Sequence, residues 1–185
     1  MKIFAVYSVV TLEGKTAELK TFREKYDQPY KLHITLKQPV QINEDEVDEV
    51  KQILSGLDVA KSKIKLVFDK INGDEKVLML MAEENSTLMD LQKEVVGLLH
   101  KYKSYVDADT MEYEINFKPH ITVARDIHEQ DMSSVKEQLR GMLPVKAFIN
   151  SITLAVVNHI SPEEALDPNN LTEYRFQHPL TRLVR

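Results

Sequence analysis

The sequence contains no cysteine, which excludes three classes of chemistry at once. A disulfide framework, a zinc site with thiolate ligands and a cysteine nucleophile all need the missing side chain. A chain without cysteine suits a reducing compartment, so we expect a cytoplasmic protein. The sequence also lacks a Walker loop, a G-x-S-x-G elbow and an H-E-x-x-H motif, and its histidines share no metal-ligand spacing. We therefore expect neither a metal nor a cofactor.

Glycine and proline are scarce, with 5 and 7 residues in a chain of 185. This scarcity excludes a linker-rich or low-complexity chain. Hydrophobic residues make up 43% and charged residues 29%, as in a globular protein long enough to bury a core. The apolar run Ile3–Val10 is too short to span a membrane, and charge returns at Glu13. We predict a buried first strand rather than a signal-peptide core, and no membrane partner.

Acidic residues outnumber basic residues, and the net charge is −5. A protein that binds a long duplex by neutralising its phosphates should be basic. We therefore expect no long duplex as a partner, and any nucleic-acid substrate to be a small nucleotide or an RNA terminus. A monomer is the working hypothesis for the oligomeric state.

Hydrophobic periodicity divides the chain into two halves with the same order of elements, β-α-β-α-β. The predicted elements are strands over 2–10, 31–36 and 63–69 with helices over 16–26 and 44–54, then strands over 77–82, 113–123 and 148–157 with helices over 87–102 and 132–143. Asn43 and Glu46 predict a capping box at the start of the second helix. In the tail, 173–178 is a candidate edge strand.

The spacing around a repeated motif indicates that the two halves are related. His33 precedes Ile64 by 31 residues, and His120 precedes Ile152 by 32. We predict a single bilobal domain over 1–185, with lobe one at about 1–72, lobe two at about 73–158 and a C-terminal extension over 159–185. The loop 103–112, an insertion in the second lobe, is a candidate lid.

The repeated motif is His-Ile-Thr, at His33–Thr35 and His120–Thr122. On a strand, residues i and i+2 point to one face, about 6.5–7 Å apart. Each histidine therefore projects beside its threonine, and a pseudo-two-fold axis would set the two pairs across a cleft. The alternative is that both histidines belong to the core and that the threonines only satisfy β-propensity.

Two imidazoles and two hydroxyls across a cleft suit displacement at phosphorus. One imidazole can take a proton from water while the other protonates the leaving oxygen. The threonine hydroxyls can donate to the non-bridging oxygens, where charge develops. We predict metal-independent cleavage of a phosphodiester, with His33, Thr35, His120 and Thr122 as the catalytic residues.

The segments Leu32–Lys37 (LHITLK) and Phe117–Val123 (FKPHITV) resemble the paired signatures of the two-histidine (2H) phosphoesterase superfamily, which includes 2′-5′ RNA ligase-like and cyclic-nucleotide phosphodiesterase proteins. The stretch Phe22–Asp27 (FREKYD) and the run Asn116–His120 look most like its small bacterial phosphoesterase branch. The resemblance extends to about Val157. It implies an α+β fold of two pseudo-symmetric lobes, with mainly antiparallel sheets around a central cleft and the helices outside.

The resemblance also implies a function. Family members hydrolyse 2′,3′-cyclic phosphates, ADP-ribose cyclic phosphate or 2′-5′ linkages without a metal. By this resemblance His33 and His120 are the acid/base pair, and Thr35 and Thr122 bind the phosphate. The chain departs from the ligase-like branch at Gln38–Pro39, where that branch has an aromatic residue, leucine and glycine.

Three further residues are candidate substrate ligands. Lys37 shares strand parity with His33 and Thr35, so it faces the cleft or is a solvated lysine at a strand end. Arg125 has the wrong strand parity to lie on the face of His120 and Thr122, but it reaches a phosphate if the strand ends or bulges just before it. Tyr7 either stacks on a base or belongs to the core.

Three functions are consistent with these features of the sequence. The first is a metal-independent phosphodiesterase acting on a cyclic nucleotide or an RNA end. The second is a nucleotide- or RNA-binding module that has lost turnover, and the third is a 2′-5′ RNA ligase-like activity. Assay of a cyclic-nucleotide panel separates the first from the second.

Overall fold

The computed structural model describes residues 1–14, 16–26, 30–57, 62–74 and 76–176. Within these ranges the chain forms nine strands and six α-helices, with one-turn 3₁₀ helices at Glu44–Glu46, Glu129–Asp131 and Pro168–Asn170. In chain order the elements are β1 (Lys2–Val9), β2 (Thr11–Glu13), α1 (Thr16–Tyr26), β3 (His33–Ile42), α2 (Val47–Ser55), β4 (Ile64–Gly73), β5 (Leu78–Ala82), α3 (Ser86–Leu98), α4 (Thr110–Ile115), β6 (His120–Ala124), α5 (Met132–Arg140), β7 (Val145–Ile149), β8 (Ser151–Val157), α6 (Pro162–Leu166) and β9 (Leu171–Arg175).

The strands form two antiparallel sheets, which confirms the predicted α+β class. The first sheet has the order β3-β1-β8-β9, and the second has the order β2-β7-β4-β5-β6. Each named pair of neighbouring strands is antiparallel. Helices α2 and α3 contact the first sheet, whereas α1 and α5 contact the second. The motif strands β3 and β6 each lie at an edge, one in each sheet.

The sheets do not follow the predicted division at about residue 72. Strand β4, predicted to close the first lobe, lies between β7 and β5 in the second sheet. Strand β8, predicted to close the second lobe, lies between β1 and β9 in the first. Strand β4 has both neighbours from the second half of the chain, and β8 has one neighbour from the first half and one from the C-terminal extension. The halves are therefore interleaved.

Two further predicted elements differ from the structure. In the strand predicted over 113–123, the first residues belong to helix α4 and a loop, and strand β6 begins only at His120. The alternating Tyr113 and Ile115 are exposed, and the intervening Glu114 is buried. The strand predicted over 148–157 breaks at Asn150 into β7 and β8, which belong to different sheets.

The other predicted elements agree with the structure within a few residues at most ends. Helix α1 has the predicted bounds, and the capping box of Asn43 and Glu46 is present. Strand β3 continues to Ile42, six residues past its predicted end. The predicted edge strand corresponds to β9, and residues 177 and 178 lie outside the described ranges. No helix in the described ranges is long and apolar enough to cross a membrane.

Gly73 ends β4 with φ at +148°, a conformation that side chains rarely adopt. A Cβ atom there would lie 2.0 Å from the carbonyl oxygen of Val77. Gly73→Ala is therefore expected to lower the free energy of unfolding by about 1–3 kcal/mol or more, measured by urea denaturation. Gly97→Ala on α3 is the matched control, since nothing lies within 4 Å of its Cβ position. It should raise stability by up to about 1 kcal/mol. Equal effects of the two substitutions would contradict this account.

Candidate active site

The first motif lies at the start of β3, with the orientation predicted for a strand. His33 and Thr35 are half-buried, whereas Ile34 and Leu36 are buried in the core. Thr35 lies opposite Tyr7 of β1, and the Tyr7 ring centroid is 5.2 Å from that of His33. Burial raises the pKa of the Tyr7 hydroxyl, so this side chain stays neutral beside the imidazole.

The second motif forms β6 and repeats this pattern. His120 and Thr122 are half-buried, and Ile121 and Val123 are fully buried. Strand β6 pairs with β5, where Met81 lies opposite His120 and Met79 opposite Thr122. Both copies therefore present a histidine and a threonine on the face that points away from the core.

The two histidines make the same hydrogen bond. Nδ1 of His33 lies 2.8 Å from the carbonyl oxygen of Lys31, and Nδ1 of His120 lies 2.8 Å from that of Lys118. A carbonyl oxygen only accepts, so Nδ1 of each ring is the donor. This contact sets the tautomer, so Nε2 of each ring is the nitrogen that can take up a proton.

The fold brings the two motif strands together although they belong to different sheets. Cα atoms of β3 and β6 lie within 8 Å of one another. A cavity of about 310 Å³ includes His33 in its lining, and another of about 360 Å³ includes His120. Thr35 and Gln38 line both cavities. The two cavities therefore adjoin at β3, just after the first histidine.

Arg125 lines the cavity of His33, although it follows the second motif in sequence. Strand β6 ends at Ala124, and the Arg125 backbone N–H donates to the carbonyl of Tyr26 at 2.7 Å. The guanidinium carbon lies 5.9 Å from the centroid of the Tyr30 ring, which lines the same cavity. The early end of the strand thus turns Arg125 towards the first motif, as its sequence position allowed.

Tyr7 lines the same cavity as His33 and Arg125. Thr122 lies outside the described lining of both cavities, on the strand that carries His120. The remaining walls of the two cavities contain different apolar residues. Ile160 and Leu166 lie on the His33 side, whereas Tyr113 and Phe117 lie on the His120 side.

Lys37 does not face the cleft, in contrast to the prediction from strand parity. Its side chain is only 1% exposed, and its Nζ donates to Oε1 of Glu114 at 2.8 Å. The pairing of β1 with β3 shifts register beside Lys37, so residue parity is not preserved there. The lysine therefore neutralises a buried carboxylate instead of a phosphate.

The loop predicted as a candidate lid is fastened to β3 by hydrogen bonds. The Gln41 N–H donates to the carbonyl of Ser104 at 2.7 Å, and the Val106 N–H donates to the carbonyl of Pro39 at 3.0 Å. The Tyr105 hydroxyl donates to Glu114 at 2.7 Å. Burial, followed by the hydrogen bond to Glu114, raises the pKa of Tyr105 to about 12. These contacts hold the segment before α4 against the motif strand.

Sequence reasoning missed Gln38, Tyr30 and Tyr113 as cavity residues. Gln38 follows the register shift, so strand parity does not predict that it lies on the cavity side of β3. Tyr30 belongs to the connection before β3, and the alternation around Tyr113 is typical of a strand and not of the helix that the structure has. Within the described ranges, no group of three or more histidine, aspartate or glutamate side chains could hold a metal ion.

Comparison of the sequence with known families matches residues 11–159 to the 2′-5′ RNA ligase superfamily. A protein of Geobacillus sp. named "Putative phosphoesterase" is 32% identical over 127 residues, which are 65% of this chain and 68% of the relative. A Bacillus licheniformis protein of the same description is 29% identical over 142 residues, or 72% of this chain and 79% of the relative.

Solved structures share the fold at low sequence identity. A crystal structure described as a phosphoesterase has a TM-score of 0.56 at 12% identity and covers 96% of each chain. Escherichia coli LigT, crystallised with 3′-AMP, has a TM-score of 0.53 at 14% identity and covers 95% of this chain and 94% of its own. These likenesses concern the fold.

Proposed function

The chain belongs to the 2′-5′ RNA ligase superfamily, and we propose that it is a metal-independent phosphodiesterase acting on a nucleotide or an RNA end. The proposed reaction is hydrolysis of a phosphodiester, with a 2′,3′-cyclic phosphate as the first candidate substrate. His33 and His120 act as general acid and base in this proposal, and Thr35 and Thr122 bind the phosphate.

The observation that supports this proposal best is the matched environment of the two imidazoles. Each donates from Nδ1 to the carbonyl of the residue two positions earlier, at the same distance of 2.8 Å. His100 contacts the carbonyl of Gly97 at the same distance, but it lies outside the described lining of both cavities, whereas His33 and His120 each line one. Two imidazoles in the same tautomer, each lining one of two cavities that adjoin, suit the two proton transfers of one displacement.

The proposed reaction needs no change of oxidation state. Nε2 of one imidazole takes a proton from water while the water oxygen forms a bond to phosphorus. The bond between phosphorus and the leaving ribose oxygen breaks, and Nε2 of the other, protonated imidazole gives that oxygen a proton. The product is a phosphomonoester. Thr35 donates to a non-bridging oxygen, and Arg125 offsets the charge from the His33 side.

The sizes of the cavities agree with a nucleotide as the ligand. Each measures a few hundred cubic ångströms, about 310 and 360 Å³, which is within the usual range of small-molecule sites. Tyr7, Tyr30 and Tyr113 offer rings for contact with a base or ribose. Escherichia coli LigT, which shares the fold, has been crystallised with 3′-AMP and with ATP. These features support a mononucleotide or a short terminus.

The test is turnover of a panel of 2′,3′-cyclic nucleotides and 2′-5′-linked dinucleotides in the presence of EDTA. We expect at least one substrate to be converted to a monoester at a rate that the chelator does not change. Products should be resolved by chromatography against authentic 2′- and 3′-monophosphates. Turnover that stops in EDTA and returns with added Mg²⁺ or Zn²⁺ would contradict the metal-independent mechanism.

The competing candidate is a nucleotide-binding module without turnover. It predicts saturable binding of a nucleoside monophosphate by calorimetry, together with no product from any member of the panel. The paired imidazoles favour the enzyme, since binding alone does not need a matched acid and base.

A further inference from the structure

Gln38 occupies the point on β3 at which the register of the strand changes. Thr35 lies opposite Tyr7 of β1, but Lys37 lies opposite Val6 and Val40 opposite Phe4. Strand β3 therefore contains extra residues relative to β1 between Thr35 and Val40. Such a bulge re-aims the side chains that follow it. Lys37 enters the core, and Gln38 remains half-buried at the cavity wall.

Glu114 fixes the backbone on which Gln38 lies. Its Oε2 accepts from the Gln38 backbone N–H at 3.0 Å, and its Oε1 accepts from Lys37 Nζ at 2.8 Å. The carbonyl of Glu114 accepts from Nε2 of Gln92 at 3.1 Å. Because these groups are buried and mutually satisfied, the main chain at Gln38 is held rigidly.

Gln38 lies where the two cavities adjoin. Among the described lining residues, Gln38 and Thr35 are the two that line both the His33 cavity and the His120 cavity. Activation of the attacking water by one imidazole and protonation of the leaving oxygen by the other require the phosphorus atom to lie between them. The junction is therefore where the phosphate has to sit if the proposed function holds.

We propose that Gln38 is a substrate-binding residue whose side-chain amide donates a hydrogen bond to a non-bridging phosphate oxygen at the junction of the two cavities. The amide NH₂ is a double donor without a charge of its own. It stabilises an anionic phosphate without competing with the imidazoles for protons. This inference rests on the proposed function for the position of the phosphate.

The test compares the full-length wild type with Gln38→Met, which keeps the length of the side chain and removes its donors. The probes are a nucleoside 3′-monophosphate and the same nucleoside without phosphate, each titrated by calorimetry. Hydrogen bonds to charged groups are strong, so we expect the monophosphate to bind about 10- to 100-fold more weakly to the variant. Affinity for the unphosphorylated nucleoside should be unchanged. Gln38→Glu should weaken the monophosphate further, because a carboxylate repels phosphate.

Gln41→Met is the matched control, because Gln41 is exposed on the same strand and its side chain lies outside the described lining of both cavities. It should leave both affinities unchanged. Thermal unfolding of each variant shows whether the fold is retained. The inference is overturned if Gln38→Met binds the monophosphate as the wild type does, if both ligands weaken equally, or if the wild type has no affinity for the monophosphate. Failure of the proposed hydrolysis would appear instead as absent turnover with these affinities intact.

Discussion

Replacing His120 with asparagine is expected to lower kcat/KM for the best substrate of the panel by about 10²- to 10⁴-fold, the usual contribution of a general acid or base. Asparagine is a sharper choice than alanine. Its amide NH₂ can still donate to the carbonyl of Lys118, which Nδ1 of His120 contacts at 2.8 Å. The substitution therefore removes Nε2 while it preserves the local hydrogen bond.

His33→Asn should cause a loss of the same order, because Nδ1 of His33 makes the matching contact with Lys31. The double variant should lose much less than the product of the two single losses, since an acid and a base that act in one step do not contribute additively. In the wild type, kcat/KM should depend on pH as a bell. Each single variant should lose one limb of that bell.

His100→Asn is the control for these variants. His100 also contacts a backbone carbonyl through Nδ1, that of Gly97 at 2.8 Å, but it is exposed and lies outside the described lining of both cavities. Its replacement should leave kcat/KM unchanged. If either motif variant kept wild-type turnover with its fold intact, the assignment of the acid/base pair would be wrong.

The sequence was sufficient to predict the local features of the motif strands. Alternation of apolar and polar residues placed Ile34 and Ile121 in the core and their histidines on the opposite face, and the structure has this arrangement. Strand periodicity is a local property, so a short window of residues specifies it. The class of fold followed from the same patterns and from the resemblance of the two motifs to a known superfamily.

The partners of β4 and β8 could not be predicted in the same way. Both strands are apolar enough to lie inside a sheet, but which sheet depends on contacts across the whole chain. Two copies of a β-α-β-α-β pattern are equally consistent with separate lobes and with lobes that exchange a strand. Spacing along the sequence does not distinguish these arrangements, because it contains no information on long-range pairing.

Lys37 shows where strand parity fails. An unbroken strand would present Lys37 on the face of His33 and Thr35, but the register shift turns it into the core beside Glu114. A bulge has no dependable signature in one sequence, and a buried lysine is rare enough that exposure was the better expectation. The same buried pair explains why Tyr113 and Ile115 are exposed, since Glu114 is the residue of α4 that points inward.

Lys37→Met is expected to be the most destabilising substitution of those considered, at about 3–5 kcal/mol, because it leaves a buried carboxylate without its counter-charge. Lys37 is 1% exposed, and Glu114 is nearly as buried. For a chain of this length, such a loss corresponds to a fall in Tm of roughly 6–20 °C. Urea unfolding monitored by circular dichroism measures it directly.

The chain contains a matched control for this prediction. An ion pair joins Lys101 to Glu49, and the hydroxyl of Tyr102 also donates to Glu49. These are the same three residue types as in the buried cluster of Lys37, Glu114 and Tyr105. The side chains of Lys101 and Glu49, however, are about half exposed. Water screens that pair, so Lys101→Met should change stability little. Comparing the two lysine substitutions isolates the effect of burial from the effect of the residue types.

The double variant Lys37→Met/Glu114→Gln tests the cause of the loss. Removing both charges removes the uncompensated carboxylate, while the glutamine oxygen can still accept from the N–H of Gln38 and the glutamine NH₂ can donate to the hydroxyl oxygen of Tyr105. We therefore expect the double variant to recover most of the stability that Lys37→Met loses. If the double variant were as unstable as the single one, lost packing of the lysine stem would be the cause. The buried charge would then have no special part in holding α4 against the motif strand.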